Sequence, residues 1–386
     1  MAVSRTRRRV LQLLAGSATV GLSGCGIPGN NPHPDKHYPF TPRPFTEVAG
    51  DLSPAAVLQS SDHPGLFGHA VATTGETVLV GAPGADTAAG ANAGAVYVFR
   101  RTEGEWTQTA RLTASDGREG DKFGSILAID GDTAIVKGDS TNPIPGYVFE
   151  RDDDNRWKQT GTLTDRKGAK KGYKLAVHDG IAVVAGLETE TYLFERVNGT
   201  WQLQQTLRVD TDRRQIASMA ADGTTIAIGL TPFGGLSNIG RVYLYERSDG
   251  SWTQTTKFDG GVGFGDSVAI SGDTGVVLDS ANSTAYVLRR SSGSWKQEGK
   301  YTWTNDAHPL SERSRVALDG QTVLVGSRGQ DGPGAFHLLR LDTETRRGTY
   351  HPAPDDSEMF GSAVALADGT AVVSDPDNRS VYLYGV

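Results

Sequence analysis

The side chains able to carry out chemistry are few and scattered. Eight histidines occur singly, at His33, His37, His63, His69, His178, His308, His337 and His351. None has the spacing that metal ligands use. The one cysteine, Cys25, rules out an intrachain disulfide. There is no Gly-x-Ser-x-Gly elbow, no His-Glu-x-x-His and no P-loop, so no catalytic residue is assigned and no cofactor is expected. The acidic runs DDDNRW (152–157) and DTDRR (210–214) lack the glycine and the spaced oxygens of a calcium loop, and no metal site is expected there. Carboxylates are plentiful, so an acid/base pair assembled from separate segments stays open as an alternative. The net charge of −7 carries no basic excess for nucleic acid.

What remains suits recognition better than reaction. Trp303 is the one tryptophan outside a repeated position, and Phe233 lies in the Gly-rich stretch TPFGGLSNIG. If exposed, such rings stack on sugars or anchor a protein. Lys167, Lys170 and Lys171, with Arg213 and Arg214, form a candidate basic patch. Asn198, Asn282 and Asn378 open glycosylation-type triplets.

The N-terminus reads TRRRVLQLLAGSATVGLSGC. Arginines precede an apolar run from Val10 to Leu22, too short to span a bilayer, which takes about twenty residues. The segment around Arg7 and Arg8 resembles a twin-arginine export signal. Leu22 to Cys25 resembles a lipobox, in which the cysteine is lipidated. The resemblance implies an exported, outward-facing protein, held at the cell membrane through its lipid alone. Residues 26–50 carry prolines 28, 32, 34, 39, 42 and 44 and are read as an extended tether. Residues 1–25 are thus the signal, 26–50 the tether and 51–386 the folded domain.

That domain is organised by a repeat. Trp106, Trp157, Trp201, Trp252 and Trp295 recur every 43–51 residues. Each follows an aromatic run and a turn, as in YLFERVNGTW (192–201), which reads as a β-hairpin. A second hairpin precedes it: two apolar runs joined by Asp-Gly or Gly-Asp, as in SILAIDGDTAIV (125–136). One repeat therefore has four strands, a to d, and seven repeats begin near residues 67, 123, 173, 216, 264, 314 and 360. The last copy ends after strand c. The segment AAVLQSSDHPGLFG (55–68) aligns with a strand d and is expected to complete that copy. The fold class is all-β: a seven-bladed β-propeller of four-stranded blades, with the N-terminal strand closing the last blade.

Phe67-Gly68, Phe123-Gly124, Phe264-Gly265 and Phe360-Gly361 precede strand a, and Gly81-Ala82-Pro83 follows the first pair. The pattern resembles the FG-GAP repeat of integrin α-subunits and many prokaryotic surface proteins. It covers roughly residues 54–386, most clearly in repeats one, two, five and seven. The resemblance implies a seven-bladed ring with a role in adhesion or recognition. It departs from the integrin pattern in the a–b connection, a bare turn such as Asp130-Gly131-Asp132 instead of a calcium loop.

The a–b and c–d turns are short, whereas the b–c and d–a connections vary in length. Function is expected on the variable side. The preferred reading is a non-enzymatic module that binds an envelope or extracellular protein or glycan. The alternatives are a polysaccharide hydrolase or lyase acting in the funnel, and a scaffold subunit of an envelope complex.

Overall fold

The computed structural model describes residues 46–47, 52–62, 64–138, 146–164, 174–185, 190–211, 214–232, 239–303, 310–311, 313–329, 332–350 and 357–386. Cys25, Arg7, Arg8, Phe233, Lys170, Lys171 and Arg213 lie outside them.

Apolar β-branched runs separated by two-residue turns form hairpins because the turn glycines accept positive φ. Ile126–Asp130 pairs with Thr133–Lys137, from Ile126↔Lys137 to Asp130↔Thr133. The intervening Gly131 has φ +53°. Seven sheets of this kind form. Their first strands are Ala70–Thr73, Ile126–Asp130, Lys174–His178, Arg214–Asp222, Phe264–Ser271, Arg315–Asp319 and Val364–Ala367. Each touches the first strand of the next sheet, and the seventh touches the first, so the ring is closed. Regular helix is confined, among the described residues, to one 3-10 turn at Ser280–Asn282.

The ring is fastened as the sequence predicts. Ala56–Leu58 pairs antiparallel with the last strand, with Ala56↔Leu383 and Leu58↔Val381, and supplies strand d of blade seven. One pairing differs from the tether reading. Thr46–Glu47 lies parallel to Thr345–Arg346 and adds a fifth strand to blade six. No proline follows Pro44 until Pro54, so the backbone there can donate to a sheet edge.

The core is divided among the junctions between blades. Among the described residues there are seven apolar clusters, and each draws on two neighbouring blades. Middle strands are covered on both faces, so Thr77–Ala82 is buried throughout. Outer strands alternate instead, as in Thr200–Arg208 at the rim.

The Phe-Gly pairs act at these junctions. Phe67, Phe123, Phe264 and Phe360 are all essentially inaccessible. Phe123 meets Tyr147 and Phe149 of its own blade edge-on, at 5.6 and 5.9 Å, and packs on the apolar face of blade one. Gly124 has φ +92°, and a Cβ there would lie 2.6 Å from the Ala95 carbonyl oxygen of blade one. A Cβ on Gly81, in strand b of blade one, would collide with the carbonyl of Gly124. The same reciprocal contact joins Gly229 to Gly265 and Gly326 to Gly361. The motif therefore works in pairs: Phe-Gly in one blade requires a small residue in strand b of the blade before it. Blades three, four and six lack Phe-Gly, and the matching strand-b positions before them hold Lys137, Ala185 and Leu278.

Polar groups add a second ring of ties. The Glu-Arg that ends strand c pairs across blades: Arg196 with Glu150 at 2.8 Å, Arg247 with Glu195 at 2.9 Å and Arg290 with Glu246 at 3.0 Å. Partly exposed pairs of this kind contribute roughly 0.2–1 kcal/mol each.

Candidate functional site

Strand order places the b–c and d–a connections on one face of the ring. In blades one and two they form a continuous surface. Gly120, Lys122 and Phe123 donate backbone N–H groups to the carbonyls of Ala91, Asn92 and Ala93, at 3.0, 3.0 and 2.9 Å. Two carboxylates of the d–a connections are used structurally. Tyr97 donates to Asp62 at 2.6 Å and Tyr147 to Asp116 at 2.8 Å. Burial, and then Asp62, push the Tyr97 hydroxyl up to about 12. The Ser-Asp phrases at 61–62 and 115–116 signal this contact, which reading the sequence alone did not assign.

Two candidate recognition residues lie inside the fold. Trp303 is 2% exposed, packs against His337 with ring centroids 5.5 Å apart and planes tilted by 54°, and joins the core between blades five and six. Its backbone N–H donates to Ser283 at 2.9 Å. It therefore presents no ring to a ligand. Burying that aromatic surface is the stronger demand on so large a side chain. Arg214 is also buried, and its Nε donates to the Ile239 carbonyl at 2.7 Å. The guanidinium supports a b–c connection, which removes it from a solvent-facing basic patch. Two of the three asparagine amides are engaged as well, Asn282 by Asp279 at 2.9 Å and Asn378 by Asp375 at 2.8 Å.

The axis of the ring carries the charge that the motif search missed. Lys174 and Arg315 stand at equivalent places, the first residues of strand a in blades three and six, paired with Ala185 and Gly326. Both are partly buried. Burial, and then the charge of Arg315, lower the Lys174 ammonium to about 8. Burial lowers Arg315 as well, with Arg313 acting in the same direction and Asp266 against it. Lys137, in strand b of blade two, is pulled to about 8 by burial. A signal did exist in the sequence, since Lys174 and Arg315 open blades without Phe-Gly and Lys137 lies in the blade before one of them.

The opposite mouth is acidic. His178 Nε2 lies 3.0 Å from Asp222 and Nδ1 3.9 Å from Asp130, so one imidazole spans the a–b turns of three blades. The hydrogen bond to Asp222 raises His178 above its ordinary value, burial opposes this, and the charges of Asp222, Asp130 and Asp179 add to it. The remaining oxygens of these carboxylates accept from the next turn, Asp130 from Asp179 N at 2.6 Å and Asp222 from the N–H of Gly272. The carboxylates are thus directed at neighbouring turns. Among the described residues no group of three or more His, Cys, Asp or Glu is arranged to hold a metal ion.

A cleft of about 370 Å³ opens between the outer strands of blades five and six, lined by Arg289, Glu298, Tyr301 and Glu344. Its guanidinium is already held by Glu298 at 2.9 Å and Gln321 at 2.5 Å.

Comparison with known proteins agrees with this geometry. The FG-GAP repeat family matches residues 59–99 and 106–141, which span blade one and strands a and b of blade two. The chain resembles the β-propeller domain of Myceliophteria thermophila Cps50 (Swd1), with TM-score 0.61 and 10% identity over 87% of this chain and 100% of that one. It also resembles a protein from Lactobacillus plantarum, with TM-score 0.52 and 16% identity over 78% and 92% of the two chains. Both likenesses concern the fold. No curated protein matches the sequence. Four blades keep Phe-Gly buried at a junction, and the ring is closed by the N-terminal strand. The chain is a seven-bladed β-propeller that matches the FG-GAP repeat over its first blade and the first half of its second.

Proposed function

We propose that this propeller is a non-enzymatic binding module, tethered outside the cell by a lipid on Cys25, that engages an envelope protein or glycan through its b–c/d–a face. The observation that carries the reading is the asymmetry of the ring. On the a–b side the turns are tight and tied to one another through Asp130, Asp222 and their neighbours. The longer connections, such as 83–94 and 113–125, all emerge on the other side. A rigid ring with variable loops on one face suits recognition. The alternative of a hydrolase in the funnel needs two carboxylates roughly 5–10 Å apart. Among the described residues the d–a carboxylates Asp62 and Asp116 are each engaged by a tyrosine hydroxyl, which favours binding over acid/base chemistry.

Two measurements test the reading. The full chain is applied to a glycan array and cross-linked to envelope extract, beside a variant whose 84–93 connection is shortened. Specific binding that the shortened variant loses supports the assignment; equal binding by both refutes this face. For the anchor, Cys25→Ser is expected to leave the membrane fraction, and its retention there would refute lipidation.

A further inference from the structure

Three triplets of the Asn-x-Ser/Thr type occur, at Asn198, Asn282 and Asn378. All three asparagines reach the surface, yet the fold treats their amides differently. In blades five and seven the triplet belongs to a b–c connection and is built into the blade. Asn282 Nδ2 donates to Asp279 at 2.9 Å and Asn378 Nδ2 donates to Asp375 at 2.8 Å, and both carboxylates are fully buried. The hydroxyls of these triplets are turned inward too. Thr284 and Ser380 are each 2% exposed, and they donate to the carbonyls of Asn282 and Asn378 at 2.9 and 3.0 Å. A charge-assisted bond to a buried acceptor holds the amide nitrogen away from a second macromolecule.

Asn198 stands in the opposite situation. It is the first residue of the two-residue c–d turn of blade three, where Val197 pairs with Thr200. Asn198, Gly199 and Thr200 are all exposed. A Cβ on Gly199 would meet nothing within 4 Å, so the space around the tip is open. Among the described residues the Asn198 amide has no hydrogen-bond partner. Thr200 Oγ1 donates to the Val197 carbonyl at 3.2 Å, a bond at the surface that water or an enzyme can replace. The turn itself does not require asparagine. Asn198 has φ +51°, and Glu103, Asp249 and Ser292 take the same place in other blades with φ +53°, +51° and +52°. Several residue types therefore satisfy the backbone, and the amide at this tip is spare.

We propose that Asn198 is the N-glycosylation site of the folded chain, and that Asn282 and Asn378 are closed to the same modification. The donor is a lipid-linked oligosaccharide. Asn198 Nδ2 bonds to the anomeric carbon of the first sugar and the bond from that carbon to the lipid phosphate breaks. The phosphate leaves with the electron pair, and the transferase takes the amide proton. The inference rests on the reading of the chain as exported, because transfer takes place on the outer side of a membrane. A glycan on this turn stands on the a–b/c–d side and leaves the b–c/d–a face open to its partner.

Incubation of the folded full chain with a lipid-linked oligosaccharide tests the acceptor without requiring export. The enzyme is an oligosaccharyltransferase shown to be active on a free Asn-x-Thr peptide. Mass spectrometry of the tryptic peptide 197–208 is expected to show added sugar at Asn198. Asn198→Gln and Thr200→Ala should each reduce total incorporation tenfold or more, while Thr200→Ser retains most of it. Absence of sugar from Asn198 in the folded wild type, or equal occupancy of Asn282 or Asn378, overturns the proposal. Conversion of Asn198 to aspartate with no added sugar overturns it as well. Should a variant fail to fold, the wild-type peptide map decides alone. In chain recovered from the membrane fraction of its own cells, the same peptide should carry a glycan, and a bare Asn198 there overturns the assignment. A chain that never reaches the membrane refutes export instead, and the map of the folded chain still decides the acceptor.

Discussion

If the FG-GAP motif is a device for bringing two backbones together, one methyl group should cost very different amounts at two glycines of the same blade. Gly131 sits in the a–b turn of blade two with φ +53° and nothing within 4 Å of an added Cβ. Gly131→Ala therefore meets only left-handed backbone strain, about 1–2 kcal/mol. Gly124 is seven residues earlier, with φ +92°, and its Cβ would lie 2.6 Å from Ala95 O and 3.1 Å from Val96 Cγ2. Backbone strain of roughly 1–3 kcal/mol is there joined by overpacking of roughly 1–3 kcal/mol. The expected loss for Gly124→Ala is about 2–6 kcal/mol. At about 2 °C per kcal/mol for a chain of this size, the Tm falls by roughly 4–12 °C, against about 2–4 °C for Gly131→Ala. A cycle sharpens the test. Gly81→Ala strikes the same junction from the other blade, so combined with Gly124→Ala it should cost less than the sum, because one displacement of the blades relieves both collisions. Gly229→Ala lies at another junction and should add to Gly124→Ala within about 0.5 kcal/mol. Equal losses at Gly124 and Gly131, or simple additivity of Gly81 and Gly124, would show that the glycines do not act as a pair.

Other consequences can be checked on the same protein. His178 has a raised folded-state value, so its contribution is complete below about 6.5 and fades as pH rises through the folded value. Asp222 is lowered, chiefly by His178, so its contribution exists above its ordinary value and is lost in acid. The difference in urea midpoint between wild type and His178→Ala should thus be larger at pH 5.5 than at pH 8.5, by up to about 1 kcal/mol for so exposed a pair; a difference independent of pH would refute the link. Phe123→Ala should cost about 3–5 kcal/mol in denaturant unfolding, and a loss below 1 kcal/mol would contradict its place at the junction. Deleting the chain through Leu58 leaves strand Ser380–Gly385 with an open edge, so light scattering should reveal self-association; an unchanged monomer of unchanged Tm would mean that the ring does not depend on this fastening. Glu195→Gln should lower stability by less than about 1 kcal/mol, and a larger loss would show the Glu-Arg ties to be stronger than surface pairs.

Local chemistry was enough to read the blades from the sequence. Alternating or continuous apolar runs such as Ala128-Ile129 and Ile135-Val136, divided by Asp-Gly, can form little except hairpins, and their count gives seven. The unpaired strand c at 380–385 and the spare strand near 56–58 fixed the closure, because an open sheet edge is costly. Near-neighbour patterns, however, do not report what stands across an axis or behind a loop. Trp303 looks like an exposed aromatic in sequence and is buried, and Arg214 looks like part of a basic patch and supports a carbonyl. Lys174 and Arg315 are 141 residues apart in sequence, counted as 315 less 174, and neither lies in a motif. Only the closure of seven sheets sets them at equivalent places around one axis, since position in the ring is decided through space and the chain records only distance along itself.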